Sequence, residues 1–303
     1  MSERAGPLRL RGVLTALVTP FCGDGAVDLE RFRRLVRWQV ENGIHGLVPC
    51  GTTGEGATLV PEEQEALVAA AVDEAAGRVP VVAGCGTNDT RRTVELARRA
   101  IVAGADALLV VSPYYNKPNR SGMLAHFETL CRAVDRPVVV YNVPGRTGQN
   151  LGVDLILALA RIPGVIGVKE ASGNLEQMAS ILDGRPTGFA VLSGDDSLAL
   201  PGVSLGADGL ISVVSNEAPA EAAAMIGAAL DGDFARARDL HYRLLPLMRA
   251  NFVETSPVPV KVAMAILGRC GEGVRPPLGP AEEATREAIR AALRSAGIEG
   301  PRP

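Results

Sequence analysis

Only three of the 31 Lys and Arg residues in this sequence are lysines: Lys117, Lys169 and Lys261. A lysine kept in so arginine-rich a chain is a candidate for amine chemistry that a guanidinium cannot supply. For Lys117 and Lys261, chance explains the residue equally well. Lys169 has a different setting, because it ends the apolar run Val165-Ile-Gly-Val-Lys-Glu170. Poor solvation there favours a neutral, nucleophilic amine, suited to forming a Schiff base with a ketone. The competing reading is an ion pair with a carboxylate such as Glu170.

Other polar residues gain meaning beside such an amine. Tyr115 and Tyr141 are two of only four tyrosines. Each alone reads as core packing, but near a Schiff base a phenol can relay protons. Gly51-Thr-Thr-Gly-Glu-Gly56 is a glycine-rich turn with two hydroxyls. It fits neither the P-loop nor the dinucleotide spacing, and its amides and hydroxyls suit a carboxylate. Arg146, after Pro144-Gly145, offers a bidentate fork for a second carboxylate. Asp195-Asp196 could suggest a metal, but helix capping by the first aspartate is favoured. The scattered His45, His126 and His241 do not form the imidazole cluster that a metal-dependent aldolase requires.

These residues need a frame. Short apolar, β-branched runs recur at 13–19, 46–50, 79–84, 107–112, 137–142, 165–169, 189–193 and 209–214. Each is nearly continuous in apolarity, as strands buried on both faces of a parallel sheet are. Helical patterns lie between them. Asp28 caps a helix that stops at Gly43, Pro61 opens another with Glu62 and Glu63 in its first turn, and Asp89 or Thr90 starts a third ending at Gly104. Gly43-Ile-His-Gly-Leu47, Gly104-Ala-Asp-Ala-Leu108 and Gly206-Ala-Asp-Gly-Leu210 echo one another at turns from helix to strand. Eight strands with intervening helices predict an α/β fold, a (β/α)₈ TIM barrel over residues 1–232. An open doubly wound sheet is the alternative. Helical patterns at 221–230, 234–249 and 257–267 follow, giving a C-terminal helical extension over 233–303 with a frayed end. In a barrel of this kind the site lies at the C-terminal strand ends, where the residues singled out above fall.

Composition removes other classes. The chain has 303 residues, 47% hydrophobic and 21% charged, enough to bury a sizeable core. A formal net charge of −3 gives no reason to expect nucleic acid or an anionic membrane. No apolar run reaches the ~18 residues of a membrane span. The run at 12–18 after Arg9 and Arg11 reads as a first strand rather than a signal peptide. Five cysteines without a C-x-x-C read as reduced cytoplasmic thiols.

Taken together, Gly51-Thr-Thr-Gly-Glu55, Pro113-Tyr-Tyr-Asn116, Tyr141-Asn-Val-Pro-Gly-Arg-Thr-Gly148, Gly167-Val-Lys-Glu-Ala171, Ser193-Gly-Asp-Asp196 and Ser256-Pro-Val-Pro-Val-Lys261 resemble the motifs of the dihydrodipicolinate synthase and N-acetylneuraminate lyase superfamily of class I aldolases. Thr52-Thr53 with Arg146 is most similar to the dihydrodipicolinate synthase branch. That resemblance implies a homotetrameric, cofactor-free and metal-free lyase that condenses pyruvate with aspartate-4-semialdehyde in lysine and diaminopimelate biosynthesis. It implies that Lys169 forms the Schiff base, Thr53 holds the pyruvate carboxylate and Tyr141 moves protons. Thr52 would link Tyr141 to Tyr115, which crosses a dimer interface. Arg146 would bind the semialdehyde carboxylate, and Gly194 and Ile211 would line the pocket through their backbone.

Two alternatives remain at this level: a catabolic pyruvate-dependent aldolase or dehydratase of the same superfamily, and a catalytically silent barrel. The intact lysine, tyrosines and threonines argue against the second. One departure concerns regulation. Lysine-inhibited members carry histidines after the threonine motif, and an asparagine with a glutamate four residues later. Here Pro61, Gln64, Asn88 and Arg92 occupy those places.

Overall fold

A computed structural model describes residues 8–300. It contains eight parallel strands: β1 (Gly12–Ala16), β2 (Gly46–Val48), β3 (Val82–Gly84), β4 (Ala107–Val111), β5 (Val138–Asn142), β6 (Val165–Glu170), β7 (Ala190–Ser193) and β8 (Gly209–Ser212). Their hydrogen-bonded order is β2-β1-β8-β7-β6-β5-β4-β3. A parallel bridge between Leu47 and Val81 joins the two ends, with the Leu47 N–H donating to the Pro80 carbonyl at 2.9 Å. The sheet is therefore a (β/α)₈ barrel and not an open doubly wound sheet.

Continuous apolarity in the strands has a direct cause. Leu14, Leu109, Val139, Leu192 and Ile211 form a cluster inside the barrel. The alternating neighbours Val13, Leu108, Val138, Val140, Val191 and Leu210 pack outward against helices. Both sides of each strand are dry, so the period-2 contrast of a one-sided sheet is absent.

The helices between the strands are α1 (Leu29–Glu41), α2 (Pro61–Ala75), α3 (Thr90–Val102), α4 (Arg120–Ala133), α5 (Pro144–Thr147), α6 (Val153–Leu159), α7 (Leu175–Gly184) and α8 (Asp196–Ser204), and α9 (Pro219–Leu230) follows β8. The expected start signals hold. Asp28 accepts the Arg31 N–H, Pro61 is the first residue of α2, and Asp89 accepts the N–H groups of Arg91 and Arg92. The three echoed glycines, Gly43, Gly104 and Gly206, take φ of +80°, +97° and +109° where helices turn back to strands, a conformation glycine adopts without steric cost.

Strand limits differ from the sequence expectation at identifiable places. β1 ends at Ala16 rather than at residue 19 because Val18 donates its N–H to the Asn216 side chain at 3.1 Å and leaves the ladder. The third run begins its strand only at Val82: Pro80 has no N–H to give, and the Val81 N–H donates to the Asp106 side chain at 2.8 Å.

Beyond α9 lie α10 (Phe234–Ala250), α11 (Val258–Ile266) and α12 (Glu283–Ala296). Leu244, Leu247, Ile289 and Leu293 belong to the same apolar cluster as the outer barrel, so these helices have no separate core. The sequence reading missed α12, whose buried stripe is thin: Thr285, Ile289, Ala292, Leu293 and Ala296. Of the expected frayed end, residues 301–303 lie outside the described residues. All five cysteines are free. Burial pushes the Cys85 thiol up to about 12. No helix is long and apolar enough to cross a membrane among the described residues.

Candidate active site

β5 and β6 place the central pair. Their register sets Tyr141 beside Lys169 and Asn142 beside Glu170. Alternation then separates roles. Tyr141 joins the inner barrel cluster, and Lys169 Nζ stands over its ring, 4.3 Å from the centroid. Lys169 is 5% exposed and Tyr141 7%. Glu170 belongs to the opposite face. Its carboxylate accepts from Asn142 at 2.9 Å, from Gln177 at 3.3 Å and from the Ser172 N–H at 2.8 Å. The Lys169–Glu170 ion pair considered from sequence is therefore not formed. The buried amine faces a phenol ring, not a carboxylate.

Gly194 makes room for that amine. Its N–H donates to the Glu170 carbonyl at 2.7 Å. A Cβ at this position would lie 2.5 Å from the Ala171 Cβ and 3.1 Å from the Lys169 Cε. Any side chain would displace the lysine or the backbone following it. Ile211 lies on the inner barrel face opposite Leu14 in the β1–β8 register and is fully buried.

A cavity of about 520 Å³ opens over the ends of β2 to β5. Thr52, Tyr141 and Arg146 share its wall, so the structure brings these three together. Arg146 lies on α5 and donates through Nη2 to the Ser256 carbonyl at 3.1 Å, which fixes part of an otherwise exposed side chain. Thr53 is buried at 4% exposure behind Thr52. Tyr115 stands apart: it is 88% exposed, with φ of +70°, while Tyr114 takes the place in the cavity wall. The cavity continues past Gln64, Asn88 and Arg92.

The aspartate pair departs from expectation. Asp195 occupies the cap position of α8, but its side chain makes no capping hydrogen bond. Burial instead raises its pKa, opposed by the Lys169 charge. Asp196 accepts from the Ser212 hydroxyl at 2.6 Å and from the N–H groups of Val213 and Val214 at 3.0 and 3.1 Å, tying α8 to the end of β8. Among the described residues no group of three or more His, Cys, Asp or Glu could hold a metal ion.

Sequence reasoning assigned no role to Glu55, Arg275 or Ser256, which bind the cavity's loops to the C-terminal segment. The first and last lie inside quoted motifs. Arg275 is one arginine among many in the sequence, and only its contacts distinguish it.

Known proteins bear on this arrangement. The chain is 47% identical over 292 residues to the 4-hydroxy-tetrahydrodipicolinate synthase of Maridesulfovibrio salexigens, covering 96% of this chain and 100% of that protein. It is 49% identical over 292 residues to the protein of the same name from Nitratidesulfovibrio vulgaris, with the same coverage. The crystal structure of dihydrodipicolinate synthase from Aquifex aeolicus superposes with a TM-score of 0.93 at 42% identity, over 97% of this chain and 100% of that one. Residues 9–296 match the model of the dihydrodipicolinate synthetase family. With a closed barrel, a buried lysine at a strand end and near-complete coverage in each comparison, the chain belongs to the dihydrodipicolinate synthetase family.

Proposed function

We propose that this protein is a Schiff-base-forming lyase that condenses pyruvate with aspartate-4-semialdehyde to 4-hydroxy-tetrahydrodipicolinate. The observation that carries this reading is the buried Lys169–Tyr141 pair, 4.3 Å apart on adjacent strands, beside a cavity shared with Thr52 and Arg146. The Lys169 amine adds to C2 of pyruvate and water leaves to give the imine. Loss of a C3 proton makes an enamine, which attacks the aldehyde carbon, and the aldehyde oxygen becomes the 4-hydroxyl. The substrate's own amine then displaces Lys169 from C2 and closes the ring, so one water is released overall. Tyr141 is the proton donor and acceptor, Thr53 holds the pyruvate carboxylate, and the backbones of Gly194 and Ile211 shape the inner wall.

Thr52 links Tyr141 to a Tyr115 supplied by a partner subunit. An aromatic ring left 88% exposed on a positive-φ residue supports that assignment; a homotetramer is what the family resemblance implies. Five free cysteines support a cytoplasmic location.

The test is turnover of pyruvate with a panel of aldehydes, comparing wild type with Arg146→Ala. A charge-assisted bidentate contact contributes ~1.5–3 kcal/mol. Arg146→Ala is expected to raise the KM for aspartate-4-semialdehyde by roughly tenfold or more and to leave adduct formation with pyruvate nearly intact. An unchanged KM for that aldehyde would favour a catabolic aldolase acting on another substrate.

Feedback by lysine is expected to be weak. Arg92 lines the extension of the cavity where regulated relatives present an acid to the ligand's ammonium group. A permanent cation there repels it, and Pro61 and Gln64 offer no imidazole. Losing one charged hydrogen bond costs ~1.5–3 kcal/mol, and the added like charge costs more, so binding should fall by about two orders of magnitude. A lysine titration at saturating pyruvate checks this. Half-maximal inhibition below about 1 mM, equivalent to ~4 kcal/mol of binding, would show that other residues rebuild the site.

A further inference from the structure

Lys261, in a motif the proposed chemistry does not use, is fully buried inside α11. Its Nζ donates to Glu55 Oε1 at 2.7 Å and to the Thr19 carbonyl at 2.9 Å, and it stands 4.3 Å from the centre of the Phe21 ring. Glu55 is as enclosed as its partner and has φ of +55°. That conformation is uncommon for a residue with a Cβ and needs support from its surroundings. The other carboxylate oxygen, Oε2, accepts the backbone N–H of Arg275 at 2.9 Å.

Arg275 is itself clamped. Its guanidinium donates to both Glu63 carboxylate oxygens at 2.6 and 2.7 Å, to the Thr58 carbonyl at 3.0 Å and to the Gly25 carbonyl at 2.8 and 3.0 Å. It also lies 4.5 Å over Phe21. Two segments distant in sequence therefore converge on one carboxylate, and that carboxylate belongs to the turn bearing Thr52 and Thr53. The Glu55 N–H donates to the Thr52 carbonyl at 3.1 Å. On the turn's other side, the Thr19 hydroxyl donates to the Gly54 carbonyl at 2.7 Å.

We infer that Lys261 and Arg275 are positioning residues that act through Glu55, holding the Thr52–Thr53 turn in its carboxylate-binding shape, so that the C-terminal extension controls pyruvate binding. The inference rests on the proposed pyruvate site. Lys261 is then a fixed partner of Glu55 and not a second nucleophile, because its Nζ is fully enclosed and already bonded to the carboxylate and to the Thr19 carbonyl. Neither Lys261 nor Arg275 touches the substrate. Their effect reaches it through the backbone of the turn, where a displacement of ~1 Å can cost up to ~10²-fold.

The discriminating variant is the double substitution Glu55→Met with Lys261→Met. Replacing both members of a buried ion pair by apolar residues of similar volume is often neutral or stabilising, whereas removing one member is strongly destabilising. A purely structural pair would leave a folded double variant with wild-type kinetics. Positioning predicts a folded protein whose KM for pyruvate rises about tenfold or more, with a lowered thermal midpoint because the Arg275 N–H and the Thr19 carbonyl lose their partners. The pyruvate concentration giving half-maximal borohydride trapping on Lys169 should rise in parallel. The limiting amount trapped at saturating pyruvate should stay the same, since Lys169 is untouched.

Arg275→Met keeps the backbone N–H on Glu55 but removes the guanidinium that anchors that N–H through Glu63, Thr58 and Gly25, so it should show a smaller rise of about threefold, and it decides alone if the double variant does not fold. Wild-type pyruvate concentration dependence in the folded variant would overturn the coupling while leaving the pyruvate site standing. A wild-type protein that traps no pyruvate on Lys169 would overturn the pyruvate site and the coupling together.

Discussion

Lys169→Arg is expected to abolish turnover, by on the order of 10⁴-fold or more, because the reaction loses its nucleophile. The substitution retains a long cationic side chain, so the loss is chemical rather than one of charge. A guanidinium remains protonated throughout the accessible pH range and cannot add to a ketone. In the wild type, borohydride reduction in the presence of pyruvate should leave a mass increase on the peptide containing Lys169. The three lysines make this a clean experiment. Lys117 stands in solvent, while Lys261 is fully buried and bonded to Glu55 and the Thr19 carbonyl. Of the three, Lys169 is the one that stands over Tyr141, whose ring lines the cavity. An adduct on Lys117 or Lys261, or none at all, would remove the mechanism.

The barrel was legible because its strands lack alternation. With both faces buried, each reads as an apolar block ended by Gly, Pro, Ser or Asn, and the blocks could be counted. The residues closing those blocks were legible for the same reason: Lys169 and Tyr141 are polar atoms at the ends of apolar runs, and β5 and β6 bring them into register. What stayed hidden depends on contacts between parts distant in sequence. Glu55 and Lys261 are 206 positions apart, and no periodicity announces that they meet. Arg146 could be placed near the mouth from its strand, but its anchor at the Ser256 carbonyl comes from a loop whose path the sequence does not specify. Capping by Asp195 was the reasonable local reading, yet its side chain makes no capping bond and the adjacent Asp196 binds the end of β8. Local rules reported the position correctly and missed which tertiary partners would compete for the carboxylates. Tyr115 is the remaining case. Its ring is exposed in the single chain, and the role proposed for it involves a second.

Tyr141→Phe should lower turnover by ~10²–10⁴-fold, the usual range for a positioned acid–base group. The substitution removes one oxygen and little else. The ring packs inside the barrel with Val139, Leu192 and Ile211, and phenylalanine fills the same space, so the fold should be retained. The contact between Lys169 Nζ and the ring face should also persist, since phenylalanine presents the same face. The amine therefore stays in place while its proton relay is lost. Formation and breakdown of the carbinolamine should both slow, but borohydride should still trap pyruvate on Lys169 when incubation is prolonged. Tyr115→Phe should cost somewhat less, because the proposed relay places that hydroxyl one step further from the amine. The decisive comparison is the rate of adduct formation in Tyr141→Phe against wild type at saturating pyruvate. A wild-type rate with wild-type turnover would mean that the protons move through another group, with the Asp195 carboxyl, raised by burial and coupled to the Lys169 charge, the next residue to replace.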